Sequence, residues 1–184
     1  RSTGVSDKEL IKIAVKSLGL DELYAFEPEK KIIEYILEKE QNKDKKRLID
    51  MDLVEFADET ASESPAPGGG SIAAYIGAMG ASLGGMVANL SSHKRGWDSR
   101  WEEFSNWAEK AKTYQTQLLK MVDEDTNAFN KIMDAFGLPK DNTEQVSARK
   151  QAIEDASKYA TEIPFRTMQV AFSCIPLLKE MATN

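Results

Sequence analysis

Asp125 is the residue whose type and setting point most directly to chemistry. It stands three residues after Val122 and four before Phe129, on the side of a long apolar stripe that should be buried. An ionised carboxylate there is costly unless it is paired, hydrogen-bonded or open to a wet cavity. It is therefore either a structural acid bonded to a neighbouring helix or a general acid and base. The second feature is the turn Pro65 to Ser71, PAPGGGS, which runs straight into a helix. Gly68, Gly69 and Gly70 let backbone N–H groups converge, and the helix start adds positive potential, so an anion or a carbonyl oxygen can dock there. The same turn also serves simply to bring two helices close. No Gly-Lys-Ser/Thr follows it and no strand precedes it, which excludes the phosphate loop and the dinucleotide fingerprint. His93, Lys94 and Arg95 come where the same helix reaches solvent. They are placed to hold carboxylates of a ligand or to satisfy the helix C-terminus. Cys174, among Phe172, Ile175 and Leu177, reads as a buried inert thiol, and Trp97, Trp101 and Trp107 read as packing residues. One histidine and one cysteine exclude a Cys/His zinc cluster, and no metal site is expected.

Helices must position these groups. Ser6 and Glu9 form a capping box, with Val5 and Leu10 as its staple, and Gly19 supplies a left-handed stop. A short helix is predicted from Pro28 through Ile32, Ile33, Ile36 and Leu37, then a charged linker over 38–47. Leu53, Val54, Phe56 and Ala57 mark another short helix. From Ser64 to Ser92 there is no charged residue, yet Ala, Gly and Ser dominate and Asn89 interrupts, so a buried helix fits better than a membrane span. Its small face carries Gly77, Ala81, Gly84 and Ala88 for close backbone approach. The opposite face, with Ile72, Ile76, Met79, Leu83, Val87 and Leu90, is expected to fill a core. Between Trp97 and Phe136 neither proline nor glycine occurs, which predicts one long helix with Gln115 and Asp125 as polar interruptions of its stripe. A third long segment starts near Asn142 or Thr143, and Pro164 and Pro176 are expected to break or kink it.

The chain has 184 residues, 41% hydrophobic and 29% charged, with a net charge of −6. That balance excludes disorder as the main state and argues against nucleic acid as a partner. Aromatic residues are 8% and alternating Val/Ile/Thr patterning is scarce. An all-α bundle of long antiparallel helices, preceded by a short helical extension, is the fold expected. A single cysteine points to a reducing compartment, hence the cytoplasm. The chain opens on Arg1, not methionine, and closes on an apolar run up to Asn184, so a piece of something longer is expected.

Taken together, Ser64-Pro65-Ala66-Pro67-Gly68-Gly69-Gly70-Ser71-Ile72-Ala73-Ala74 resembles the signature of the formimidoyltetrahydrofolate cyclodeaminases. Gly77-Ala78-x-Gly80-Ala81, Met86-Val87, Asp125-x-x-Ala128-Phe129 and Leu138-Pro139 are similar to the same family. Residues 48–184 carry this resemblance, and residues 5–37 look like the tail of a formimidoyltransferase domain, so 1–47 is read as that tail plus linker. The resemblance implies an all-helical homodimer, fused to or associated with a transferase domain. It implies conversion of 5-formimidoyltetrahydrofolate, polyglutamylated or not, to 5,10-methenyltetrahydrofolate and ammonia, in histidine degradation and one-carbon metabolism. No cofactor beyond the folate substrate is implied. Asp125 matches the catalytic aspartate, Gly68, Gly69, Gly70 and Ser71 would bound the folate pocket, and Lys94 and Arg95 would attract its glutamate end. A methenyltetrahydrofolate cyclohydrolase and a catalytically silent helical dimerisation module are the rival readings. Two departures matter. His93 stands where the family often has glycine before its basic pair. The family also continues beyond the equivalent of Asn184 with helices that complete the site, and a molecule without them is expected to turn over little and to associate through exposed apolar faces.

Overall fold

A computed structural model of the chain describes residues 7–22, 24–36 and 47–183. Ser6 and Val5, Leu37 and all of the charged linker but Arg47 lie outside the described residues. The described residues form the helices α1 Asp7–Ser17, α2 Pro28–Lys31, α3 Leu53–Ala61, α4 Gly69–Ser92, α5 Trp101–Phe136, α6 Thr143–Ser173 and α7 Ile175–Thr183, with a further helical stretch at 33–36 and no strand among them. The all-α expectation holds.

Helix ends follow the residues that cap them. Gly19 adopts a left-handed φ of 63° just after α1. The Asp52 side chain accepts N–H bonds from Val54 and Glu55, and Asn142 accepts from Gln145. The helix begun at Pro28 is interrupted at Ile32, which is extended, and the chain is helical again over 33–36, where the Ile36 N–H donates to the Ile32 carbonyl at 3.1 Å.

The body of the molecule is α4 laid antiparallel on α5, with α6 packed against both, so that Gly77 of α4 faces Leu118 of α5 and Ala171 of α6 together. The small residues of α4 do the packing: Ala74, Ala78, Ala81 and Ala88 are buried with Leu118, Val122, Phe104, Ala108 and Ala111 of α5. Short side chains let the two backbones approach, and a Cβ on Gly85 would stand 3.1 Å from that of Ala111. The large face of α4 does not fill a core in this protomer, contrary to the sequence reading. Ile76, Met79, Leu83 and Leu90 are exposed, since α5, α6 and α7 all dock on the small side. By length and hydropathy α4 is the one described helix able to cross a membrane, and its small face is spent on α5.

Gly84 faces Leu177 and Leu178 of α7 so closely that an added Cβ would meet both side chains, at 2.9 Å for Leu178. Gly84→Val is therefore expected to cost about 1–3 kcal/mol by overpacking, read as a lower urea midpoint at unchanged slope.

Pro164 does not break its helix: α6 runs continuously from Thr143 to Ser173. Its neighbours Ile163 and Thr167 are buried, and Thr167 Oγ1 lies 3.5 Å from Met121 Sδ, so packing on α5 holds the segment helical despite the lost N–H. The break falls instead at Cys174, and Pro176 sits in the first turn of α7, where proline is tolerated.

Candidate active site

Three consecutive acids on α5 point in three directions. Asp123 accepts the Leu48 N–H at 2.8 Å and so ties the incoming chain to α5, with burial pushing its carboxyl above the usual carboxylate range. Glu124 faces α6, with Arg166 3.8 Å away and Lys120 3.3 Å away. Asp125, half-buried, faces the start of α4.

At that start Gly68 caps the helix and Ser71 is fully buried. The Ser71 backbone N–H donates to Asp125 Oδ2 at 2.9 Å. This is one of the donors that a helix leaves free in its first turn, here given to a carboxylate at the positive end of the helix dipole. The Ser71 hydroxyl lies 3.1 Å from the same oxygen, 2.8 Å from the Val122 carbonyl and 3.3 Å from Thr126 Oγ1. Oδ2 is thus held, whereas Oδ1 receives no hydrogen bond among the described residues. The three glycines are not equivalent. A Cβ on Gly70 would meet Asp125 Oδ1 most closely of all and stand 2.6 Å from Cγ and 2.8 Å from Oδ2; on Gly68 it would stand 3.7 Å from Oδ2; on Gly69 it would meet nothing within 4 Å. Gly70 is the position where the carboxylate needs the missing side chain.

The structure therefore brings Asp125 together with Gly68, Gly70 and Ser71. Lys94 and Arg95 are not part of that group. They follow the far end of α4, which at 1.5 Å per residue puts Lys94 about 34 Å from Ser71. Lys94 Nζ stands 3.7 Å over the Trp97 ring instead. Within one protomer the basic pair cannot hold the far end of a ligand docked at the turn. The role of Gln115 is structural: it donates to Ser82 Oγ at 2.7 Å and accepts from Lys112. Cys174 is buried, and burial raises its thiol pKa, as an inert thiol requires. Thr126 and the Val122 carbonyl were missed in the sequence, where only adjacency to Asp125 marks them. No three His, Cys, Asp or Glu side chains converge so as to hold a metal ion among the described residues.

Removing the Ser71 hydroxyl tests the clamp. Ser71→Ala keeps the N–H bond and loses the side-chain one, so a stability loss of about 1 kcal/mol and a severalfold loss of activity are expected, read by urea titration and initial rates.

A carboxylate held at one oxygen by a glycine-built helix start, inside a helical bundle, is an arrangement that suits general acid–base work. The chain belongs to the formiminotransferase-cyclodeaminase family, whose model matches residues 52–184. A second model, the formiminotransferase domain, matches residues 1–38. The formimidoyltransferase-cyclodeaminase of Mus musculus is 31% identical over 178 residues, 97% of this chain and 32% of that protein. A methenyltetrahydrofolate cyclohydrolase of Methylorubrum extorquens is 38% identical over 127 residues, 69% of this chain and 61% of that one. The crystal structure of formiminotetrahydrofolate cyclodeaminase from Thermotoga maritima aligns with a TM-score of 0.61 at 28% identity, covering 72% of this chain and 62% of that one. The chain spans about a third of the length of the mouse relative.

Proposed function

We propose that this chain is a cyclodeaminase: it closes 5-formimidoyltetrahydrofolate to 5,10-methenyltetrahydrofolate and releases ammonia. The observation that carries the reading is Asp125, anchored at Oδ2 by the Ser71 N–H and open at Oδ1. The second folate nitrogen attacks the formimidoyl carbon and becomes positively charged. Oδ1 takes its proton, then hands one to the amino group on the same carbon, which leaves as ammonia while the methenyl cation forms. One carboxylic group thus serves as base and then as acid, with no net proton change on the protein. Gly68, Gly69, Gly70 and Ser71 bound the folate pocket. No metal or further cofactor enters the scheme. The enzyme acts as a cytoplasmic homodimer in histidine degradation, joined to a formimidoyltransferase domain through the segment at residues 1–38.

Ammonia release from 5-formimidoyltetrahydrofolate tests this. Rapid release supports it. Folate ring chemistry without ammonia favours the cyclohydrolase reading that the Methylorubrum relative suggests, and silence from an intact dimer favours the inactive helical module.

A further inference from the structure

We infer that the Ser71 hydroxyl is a two-position proton switch for Asp125, and that Thr126 is the positioning residue that keeps the switch aimed. Its part in the reaction rests on the acid–base function proposed above; the switching itself stands on hydrogen-bond geometry.

Ser71 Oγ carries one proton and faces three oxygens: the Val122 carbonyl at 2.8 Å, Asp125 Oδ2 at 3.1 Å and Thr126 Oγ1 at 3.3 Å. A hydroxyl donates once, so it cannot serve the carbonyl and the carboxylate together. Ser71 is fully buried, which makes an unmade bond costly. Thr126 departs from the habit of its neighbours. Thr113 and Thr116 on α5, like Thr161 and Thr167 on α6, donate to the carbonyl four residues back. For Thr126 that carbonyl is the Val122 one, which Ser71 meets, and Ser71 is the only hydrogen-bond partner of the Thr126 hydroxyl among the described residues. Thr126 therefore donates to Ser71 Oγ. The opposite sense would turn Ser71 lone pairs on two acceptors at 2.8 Å and 3.1 Å and give the Thr126 proton no acceptor among the described residues. Two targets remain for the Ser71 proton: the Val122 carbonyl and Oδ2.

The charge on Asp125 selects between them. While the carboxylate is ionised, a bond to it is charge-assisted and roughly twice as strong as one to a neutral carbonyl. The hydroxyl then joins the Ser71 N–H on Oδ2. Once Oδ1 has taken a proton from the attacking nitrogen, Oδ2 is a neutral acceptor, and the Val122 carbonyl is the nearer of the two. The hydroxyl turns to the carbonyl, the N–H stays on Oδ2, and no proton leaves Ser71. Rotation about one Cβ–Oγ bond is the whole movement. Within α5 that carbonyl already accepts the Thr126 N–H, so it remains satisfied when the hydroxyl turns away. A donor locked on Oδ2 would stabilise the charged form alone and make Asp125 a poor base. A donor with a second acceptor leaves no orphaned hydroxyl in either protonation state, as a group that is base and then acid requires. Thr126 donates to Ser71 Oγ in both states and so confines the Ser71 proton to the two productive directions.

The Val122 carbonyl reports the switch without activity. Val122-Asp123 is the one Val-Asp pair in the chain, so isotope labels on valine carbonyl carbons and aspartate nitrogens single out its resonance in a triple-resonance NMR spectrum. Asp125→Asn removes the charge and should send the hydroxyl to the carbonyl, moving that carbon downfield as a new hydrogen bond does. In a Ser71→Ala background the same substitution should lack that part of the movement, and the difference between the two backgrounds is the signature. Equal movement in both would overturn the switch. Initial rates test Thr126. Thr126→Val, with Thr126→Ala as a second hydroxyl-free variant, should lower kcat about three- to tenfold at unchanged KM, and Thr126→Ser should restore most of the loss. Hydroxyl-free variants with the parental kcat, or a serine variant as slow as they are, would overturn the positioning role. An Asp125→Asn chain that stays fully active would instead overturn the acid–base reading, and the resonance comparison would still decide the switch.

Discussion

Replacing Asp125 with asparagine should lower the rate of ammonia release by about 10²–10⁴-fold while leaving the fold in place. The amide is nearly isosteric, and its oxygen can still accept the Ser71 N–H that now meets Oδ2 at 2.9 Å. The clamp at the helix start therefore survives. What disappears is the group at the open position, where an NH2 can donate but cannot accept a proton from the attacking nitrogen. Because the proton moves only as the new ring closes, the loss should fall on kcat with little change in KM. Initial rates and a urea titration, run side by side, check both halves. A variant with normal kcat would remove Asp125 from the chemistry, and one that unfolds would make it a structural acid.

The pairing of Asp125 with the glycine turn was legible in the sequence because two local rules coincide. The 3.6 period puts residue 125 on the buried side with Val122, and three glycines before an uncharged run announce a helix start that another backbone approaches closely. The distinct roles of the glycines were not legible: only the observed approach of Asp125 shows that Gly70, and not Gly69, needs a missing Cβ. The two faces of α4 were identified, and the small one meets another backbone as expected, but the large one, expected to fill a core, is exposed. Both a small-residue face and a large apolar face favour burial. Helix length decided the matter, since α5 runs the whole length of α4 and takes the side that permits the shorter axial distance. Proline at 164 illustrates the limit of a local rule, as the buried neighbours Ile163 and Thr167 hold the helix across it. The remoteness of Lys94 from the turn follows from counting residues along α4, and grouping the two on chemistry alone overlooks it.

Gly70→Ala should reduce activity about a hundredfold, whereas Gly69→Ala, one residue away, should spare the Asp125 clamp and reduce activity far less. Both substitutions add the same methyl group to the first turn of the same helix, and both gain helix propensity of about 0.5–1 kcal/mol. They differ in what the methyl meets. At position 69 it enters open space. At position 70 it would stand 2.6 Å from Asp125 Cγ and 2.8 Å from Oδ2, closer than nonbonded atoms tolerate. Asp125 lies on the rigid middle of α5, so its side chain must rotate away from the turn and give up the bond to the Ser71 N–H. A reacting group displaced by about 1 Å costs on the order of 10² in rate. Stability separates this from general damage: Gly69→Ala should melt slightly higher than the parent, and Gly70→Ala near the parent, the propensity gain offsetting the lost clamp. Equal activity in the two variants would show that the carboxylate's grip on the helix start has no part in the reaction.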